Sequence, residues 1–255
     1  MLTALLVLTF AVTASAAIQT ETVEYELDGV VLEGFLAYDD DVDGPRPGVL
    51  VVHEWTGLGD YVQSRCRQLA ELGYVAFGAD IYGKGIRPEG AEAAGNEASK
   101  YRSDRPLMRA RAQAGLDQMR SYEQVDGERV AAIGYCFGGG VVLELARSGA
   151  NVDGVVSFHG NLDTPNPEDA QQIVGQVLVC HGAADPYVSK EQVQAFWDEM
   201  NDAGVDWRMI AYGNAVHSFT NPARGEDASQ GAAYNPKADR RSWEDMQDFF
   251  TEILK

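Results

Sequence analysis

A cysteine flanked by glycines has the setting that most clearly suggests chemistry. Cys136 lies in Gly134-Tyr135-Cys136-Phe137-Gly138, which has the form Gly-x-nucleophile-x-Gly. A strand pattern over 129–135 precedes it and a helical pattern over 137–147 follows it. A sharp turn, permitted by the glycines, would expose the thiol at a helix N-terminus, where the helix dipole favours a thiolate. The pattern predicts a nucleophile at Cys136, and a buried structural cysteine in a glycine-rich turn is the alternative.

A cysteine nucleophile needs a base, and the base needs an acid that orients it. His217 lies in a polar loop after the last predicted strand, and Asp185 directly follows the strand before that one. The chain order nucleophile, acid, histidine, with each member after a strand, is typical of α/β-hydrolases. The other histidines, at the ends of buried strands or just after them, are predicted to be structural: His53, His159 and His181.

The elements that would position these residues alternate along the chain. A hairpin is predicted first, around Asp28-Gly29, with strands at 23–27 and 30–37. Buried strands are predicted at 48–53, 74–79, 129–135, 152–158, 176–180 and 206–212. Helices are predicted near 61–72, 106–122, 137–147, 189–203 and 240–254, with one or two short helices in 83–105. The alternation predicts the α/β class: a mostly parallel central sheet with helices on both faces and an N-terminal antiparallel hairpin.

Five short motifs together resemble the dienelactone hydrolase (carboxymethylenebutenolidase-like) family of the α/β-hydrolases, over about 22–255. The motifs are His53-Glu54-Trp55-Thr56-Gly57, Ala79-Asp80-Ile81-Tyr82-Gly83, Gly134-Tyr135-Cys136-Phe137-Gly138-Gly139, His181-Gly182-Ala183-Ala184-Asp185-Pro186 and His217-Ser218-Phe219. The resemblance implies the α/β-hydrolase fold and a triad of Cys136, His217 and Asp185. It also implies that Glu54, whose family counterpart contacts the resting cysteine, helps to control protonation of Cys136. A purely structural partner for Glu54 is the alternative.

These groups define the expected reaction. His217, oriented by Asp185, takes the thiol proton of Cys136, and the sulfur attacks an ester or lactone carbonyl. Backbone N–H groups of Trp55 and Phe137 are expected to bind the oxyanion. A thioester forms, and water then releases the acid. No cofactor and no metal are predicted, because the sequence shows no phosphate loop, dinucleotide fingerprint or metal-ligand spacing.

Substrate binding is where the chain departs from the family. The positions of the two carboxylate-binding arginines of the family correspond here to Lys84 and Asn221. Lys is not equivalent to Arg in bidentate binding, and Asn has no charge. Lys84 is therefore the candidate substrate-binding residue, and neutral esters or lactones are the expected substrates. Arg87 and Arg224, nearby in the sequence, are expected to be solvated surface residues.

The charge balance excludes several classes of partner. The chain has 20 Lys and Arg against 39 Asp and Glu among its 255 residues, a net charge of −19. Such a surface repels phosphate backbones and anionic lipids, so neither nucleic acid nor a membrane is expected as a partner. The length fits one domain with a full core. We expect a monomer that binds a small-molecule ester or lactone.

The N-terminus indicates export. Residues 2–12 are apolar apart from two threonines, and Ala14-Ser15-Ala16 follows, which is typical of a signal-peptidase site. Residues 1–16 are predicted to be a signal peptide and residues 17–255 the hydrolase domain, in a periplasmic or secreted protein. An uncleaved anchor and a misassigned start are the alternatives.

Two other functions fit part of the pattern. The same cysteine would serve acyl transfer or thioester cleavage, and a hydrolase-like binding or redox-sensing protein would use Cys136 as a reactive thiol. Redox sensing needs neither the acid nor the oriented histidine, so the complete set favours hydrolysis. Cys66 and Cys180 are predicted to be buried core thiols.

Overall fold

The computed structural model describes residues 18–255, so the predicted signal peptide lies outside the described residues. Within 18–255, one sheet contains eight strands: β1 (Ile18–Leu27), β2 (Val30–Asp39), β3 (Arg46–Val52), β4 (Val75–Ala79), β5 (Val125–Tyr135), β6 (Gly154–Phe158), β7 (Gln176–Gly182) and β8 (Trp207–Tyr212). The same residues form six α-helices: α1 (Asp60–Glu71), α2 (Ala91–Arg102), α3 (Arg105–Arg120), α4 (Phe137–Arg147), α5 (Lys190–Ala203) and α6 (Pro236–Ile253). None of these helices is long and apolar enough to cross a membrane.

The sheet has the predicted topology. Its strand order is β1-β2-β4-β3-β5-β6-β7-β8. The strands from β3 onward pair in parallel, whereas β1 and β2 form an antiparallel hairpin at one edge. The hairpin turns at Asp28 and Gly29, both with positive φ (51° and 79°), which matches the right-handed twist of the flanking strands. The α/β class and the N-terminal hairpin are therefore confirmed.

Helices cover both faces of the sheet, and the alternation within β3 shows how. Leu50 and Val52 pack into one apolar core, and Val49 and Val51 pack into the other. Helices α3, α4 and α5 contribute to the first core, whereas α1 and α6 contribute to the second. A strand buried on both faces needs apolar residues at every position, which explains its unbroken hydrophobic run.

The closing helix differs from its predicted bounds. Helix α6 begins at Pro236, one turn earlier than the sequence pattern indicated. The Asn235 side chain accepts a hydrogen bond from the Ala238 N–H at 3.1 Å, and Pro236 occupies the first turn, where its missing N–H costs nothing. The cap lies outside the apolar repeat, so periodicity alone did not indicate it.

Candidate active site

The turn at Cys136 has the form that its sequence predicted. Cys136 lies between β5 and α4 with φ 55° and ψ −113°, a conformation that costs a non-glycine residue on the order of 1–3 kcal/mol. A Cβ atom at Gly134 would overlap the Gly138 carbonyl, and one at Gly138 would overlap the Val52 carbonyl. Both glycines are therefore required for α4 to begin this close to β3 and β5.

The structure brings Cys136, His217 and Asp185 together. His217 Nε2 lies 3.0 Å from Cys136 Sγ, and His217 Nδ1 lies 2.9 Å from Asp185 Oδ2. Asp185 follows β7 and also accepts a hydrogen bond from the Tyr187 N–H at 2.8 Å. His217 follows β8, and its backbone N–H donates to the Gly231 carbonyl at 3.1 Å. Each residue follows a strand of the parallel sheet, so all three lie at the same sheet edge.

The charges of this group favour a protonated histidine. Burial lowers the pKa of His217, but the Cys136 sulfur and the Asp185 carboxylate raise it by more, to about 10. A protonated ring donates from Nδ1 to Asp185 and from Nε2 to the sulfur, so it stabilises a thiolate. The arrangement can therefore hold an activated sulfur before a substrate binds.

Trp55 and Phe137, whose N–H groups are the predicted oxyanion donors, both lie near Cys136: Trp55 lines the same cavity, and Phe137 follows Cys136 in the chain. The Phe137 N–H is the first of α4 and has no acceptor within the helix. The Trp55 N–H and the Glu54 carbonyl belong to the same peptide group. That carbonyl accepts a hydrogen bond from His53 Nδ1 at 2.7 Å. Because His53 Nε2 accepts from the Ile81 N–H at 3.1 Å, the ring is fixed in one tautomer. Burial lowers the pKa of His53 to about 4, which keeps the ring neutral.

A cavity of about 240 Å³ opens over Cys136 and contains two arginines that the sequence did not assign to the site. It is lined by Trp55, Arg102, Cys136, Asn161, Tyr187, His217, Ser218, Arg224 and Ala232. Arg102, at the end of α2, donates to Asn161 Oδ1 at 2.9 Å and lies over the Phe137 ring. Arg224 is exposed, as expected, but it also lines this cavity. No spacing in the sequence indicated that Arg102 or Arg224 would line this cavity.

Lys84 is not part of this cavity. Its ammonium group pairs with Glu24 of β1, and 47% of its side chain is exposed. Its backbone N–H donates to the Val31 carbonyl of β2 at 2.9 Å, so the loop after β4 turns onto the hairpin. The prediction that Lys84 binds substrate therefore finds no support in its position. Arg87 pairs instead with Glu33 and Asp80, outside the cavity.

Glu54 lies beside the site rather than on the sulfur. Its Oε2 accepts a hydrogen bond from Asn221 Nδ2 at 2.6 Å, while Cys136 Sγ contacts His217. The carboxyl is 4% exposed, and this burial raises its pKa. It lines a second cavity of about 270 Å³, which shares Arg224 with the first. Asn221, at the position of a family arginine, thus binds Glu54.

Comparisons with known proteins identify the family of this chain. The sequence model of the dienelactone hydrolase family matches residues 32–254. The "Putative carboxymethylenebutenolidase" of Aquifex aeolicus is 28% identical over 240 residues, which cover 92% of this chain and 99% of that protein. P91, a dienelactone hydrolase-like promiscuous phosphotriesterase from metagenomic libraries, is 41% identical with a TM-score of 0.89, over 94% of this chain and 100% of P91. The chain therefore belongs to the dienelactone hydrolase family, has its α/β-hydrolase fold, and is a hydrolase of the kind that acts on esters or lactones.

Proposed function

We propose that this protein hydrolyses esters or lactones with Cys136 as nucleophile, His217 as base and acid, and Asp185 as the orienting group. The observation that carries the proposal is the double contact of His217, 3.0 Å from Cys136 Sγ and 2.9 Å from Asp185. Cys136 lines a cavity large enough for a small ester. In contrast, Cys66 and Cys180 are fully buried, and burial raises the pKa of both thiols.

The reaction proceeds in two stages. The thiolate attacks the carbonyl carbon, and the N–H groups of Trp55 and Phe137 stabilise the oxyanion. The C–O bond of the ester then breaks, His217 gives its proton to the departing alcohol oxygen, and a thioester remains on Cys136. Next, His217 takes a proton from a water molecule, which attacks the thioester. The acid leaves, and the proton returns to the Cys136–His217 pair.

This chemistry favours esters over amides. A thiolate is a good nucleophile for activated carbonyls and also a good leaving group, so the intermediate expels sulfur more readily than an amine. Strained lactones, enol esters, aryl esters and thioesters are therefore the proposed substrate classes.

The residues that line the cavity also indicate the charge of the acyl group that it can bind. The expectation of neutral substrates was based on Lys84 and Asn221. Lys84 lies outside the cavity and pairs with Glu24, and Asn221 binds Glu54. Arg102 and Arg224 place positive charge at other points of the cavity wall. We therefore propose that the site accepts esters whose acyl part carries a carboxylate.

A panel of aryl esters and lactones tests the proposed reaction with wild type, Cys136→Ala and the control Cys66→Ala. We expect hydrolysis to be lost only in Cys136→Ala, because Cys66 is a fully buried thiol of the core. An alcohol added as competing acceptor distinguishes hydrolysis from acyl transfer. Full activity of Cys136→Ala would contradict the assignment of the site.

Phosphotriester cleavage is a second candidate activity. The observation in its favour is the 41% identity with P91, which is described as a promiscuous phosphotriesterase. An aryl dialkyl phosphate offers a good leaving group and a P=O oxygen that the oxyanion donors can bind. Release of the phenol by wild type but not by Cys136→Ala would support this activity. Equal rates in both would exclude a role of Cys136 in it, and a wild-type rate no higher than that without enzyme would exclude the activity.

Three expectations remain proposals. We propose that residues 1–16 are removed on export, and N-terminal sequencing from the native host would contradict this if Met1 were intact. We propose that the mature chain is a monomer, which size-exclusion chromatography with light scattering tests.

We also propose that Glu54 influences protonation of Cys136. Identical pH profiles of Cys136 alkylation in wild type and Glu54→Gln would contradict that role.

A further inference from the structure

A second histidine, His159, contacts the turn at Cys136. His159 follows β6, is fully buried, and has a positive φ of 40°. Its Nδ1 accepts a hydrogen bond from the backbone N–H of Cys136 at 3.1 Å. The same N–H also donates to the Phe158 carbonyl at 3.0 Å, so two acceptors hold the peptide at the start of the turn. This imidazole has no part in the proposed hydrolysis.

The hydrogen bonds fix the protonation state and tautomer of His159. Because Nδ1 accepts from the Cys136 N–H, a neutral ring must carry its proton on Nε2. That nitrogen lies 2.7 Å from Thr220 Oγ1, which serves as its acceptor. A protonated ring would point a second N–H at the Cys136 N–H. Burial, and then the nearby His217, lower the pKa of His159 well below its usual range.

Thr220 connects this imidazole to a rigid cluster on α1 and α6. Thr220 Oγ1 lies 2.6 Å from the Tyr61 hydroxyl, and the Thr220 carbonyl accepts from Arg65 at 2.8 Å. Arg65 in turn pairs with Asp239 of α6. The His159 ring is thereby linked through Thr220 to α1 and α6.

We propose that His159 is a positioning residue for the nucleophile: its neutral Nδ1 holds the strained Cys136 peptide so that the sulfur faces His217. The proposal rests on Cys136 being the nucleophile. The strained positive φ of Cys136 persists only where its surroundings determine it, and the two acceptors on its N–H supply part of that restraint. The neutral ring, whose centroid is 5.3 Å from that of His217, also adds no positive charge beside the imidazolium.

Two amide substitutions separate the roles of the two ring nitrogens. Asn at position 159 places its Oδ1 near the Nδ1 position and tolerates positive φ, whereas Gln reaches only toward Thr220. We expect His159→Asn to retain kcat within about threefold. We expect His159→Gln and His159→Leu to lose about tenfold or more in kcat with KM nearly unchanged, the scale of a lost buried hydrogen bond plus a relaxed turn.

The rate of Cys136 alkylation by iodoacetamide provides a second readout that a purely structural role would not move. Both other thiols are fully buried, so the reaction reports on Cys136. We expect alkylation to be slower in His159→Gln and His159→Leu than in the wild type, and to keep its wild-type rate in His159→Asn. The thermal midpoints of His159→Asn and His159→Gln should match, so that a difference in alkylation does not reflect a difference in stability. Two results would overturn the proposal. One is a wild-type kcat and alkylation rate in His159→Gln; the other is a loss of both in His159→Asn while His159→Gln retains them. Activity that survives in Cys136→Ala would instead refute the proposed function itself.

Discussion

Replacing Arg224 by Gln should weaken the reaction with carboxylated esters and leave neutral esters almost unaffected. Arg224 is exposed and lines the cavity over Cys136. Its charge also acts on the buried Glu54 carboxyl, where it opposes the rise in pKa that burial causes. A charge-assisted hydrogen bond contributes about 1.5–3 kcal/mol when shielded, and an exposed ion pair about 0.2–1 kcal/mol. For a guanidinium at a cavity wall we take about 1–2 kcal/mol, or roughly 5- to 30-fold in kcat/KM.

The assay compares kcat/KM for a matched pair of aryl esters, one with a terminal carboxylate on its acyl chain and one with the methyl ester at that point. Lys84→Gln is the control, because it removes the same charge from an exposed residue outside the cavity. We expect a change of less than about twofold there, since exposed charges are screened by solvent and salt. In the wild type, the ratio of kcat/KM for the anionic ester to that for the neutral ester should also fall with added salt, and it should fall less in Arg224→Gln.

Two results would refute this reasoning. An anionic-to-neutral ratio that is unchanged in Arg224→Gln would mean that the arginine does not contact the acyl group. A large change in Lys84→Gln would return the role to the residue that the family resemblance indicated, and the cavity would then be assigned to the wrong part of the substrate.

Three further predictions follow from the geometry of the site. Because the pKa of His217 is raised to about 10, the imidazolium is present at neutral pH and is lost as pH rises through that value. The kcat/KM for ester hydrolysis should therefore fall near pH 10 in a pH–rate profile, and a rate still rising there would contradict the protonated ring. Asp185→Asn should lower kcat on the order of 10³-fold or more, because the amide favours the wrong tautomer of His217, with little change in thermal midpoint; near-normal kcat would exclude the orienting role. Gly138→Ala should destabilise the fold by more than about 3 kcal/mol, since its Cβ would overlap the Val52 carbonyl, whereas Gly140→Ala, with ordinary space around its Cβ, should not; denaturant unfolding compares them.

The sequence predicted the parts of the site that depend on local patterns. The turn at Cys136 follows from a strand, two glycines and a helix within 20 residues of one another. Asp185 and His217 follow strands of a parallel sheet, and the carboxyl ends of such strands meet at one edge. These placements need no knowledge of how the loops pack.

The remaining features depend on how loops pack, which no periodicity specifies. Lys84 lies away from the cavity because the loop after β4 bonds to the hairpin rather than turning toward the cavity. Arg102 enters the cavity because α2 ends beside Asn161, a contact between segments 59 residues apart. His159 was predicted to be a buried, bonded residue, and it is. That one of its partners is the backbone N–H of Cys136 becomes visible only when β5 and β6 lie side by side.

The most direct test of the central claim is detection of the thioester on Cys136. A slowly hydrolysed aryl ester is mixed with the enzyme, the reaction is quenched in acid within the first turnovers, and the digested protein is analysed by mass spectrometry. We expect the peptide containing Cys136 to gain the mass of the acyl group, hydroxylamine to remove it, and Cys136→Ala to show no adduct. An acyl group on another residue, or rapid turnover through a burst phase with Cys136 unmodified, would contradict the account.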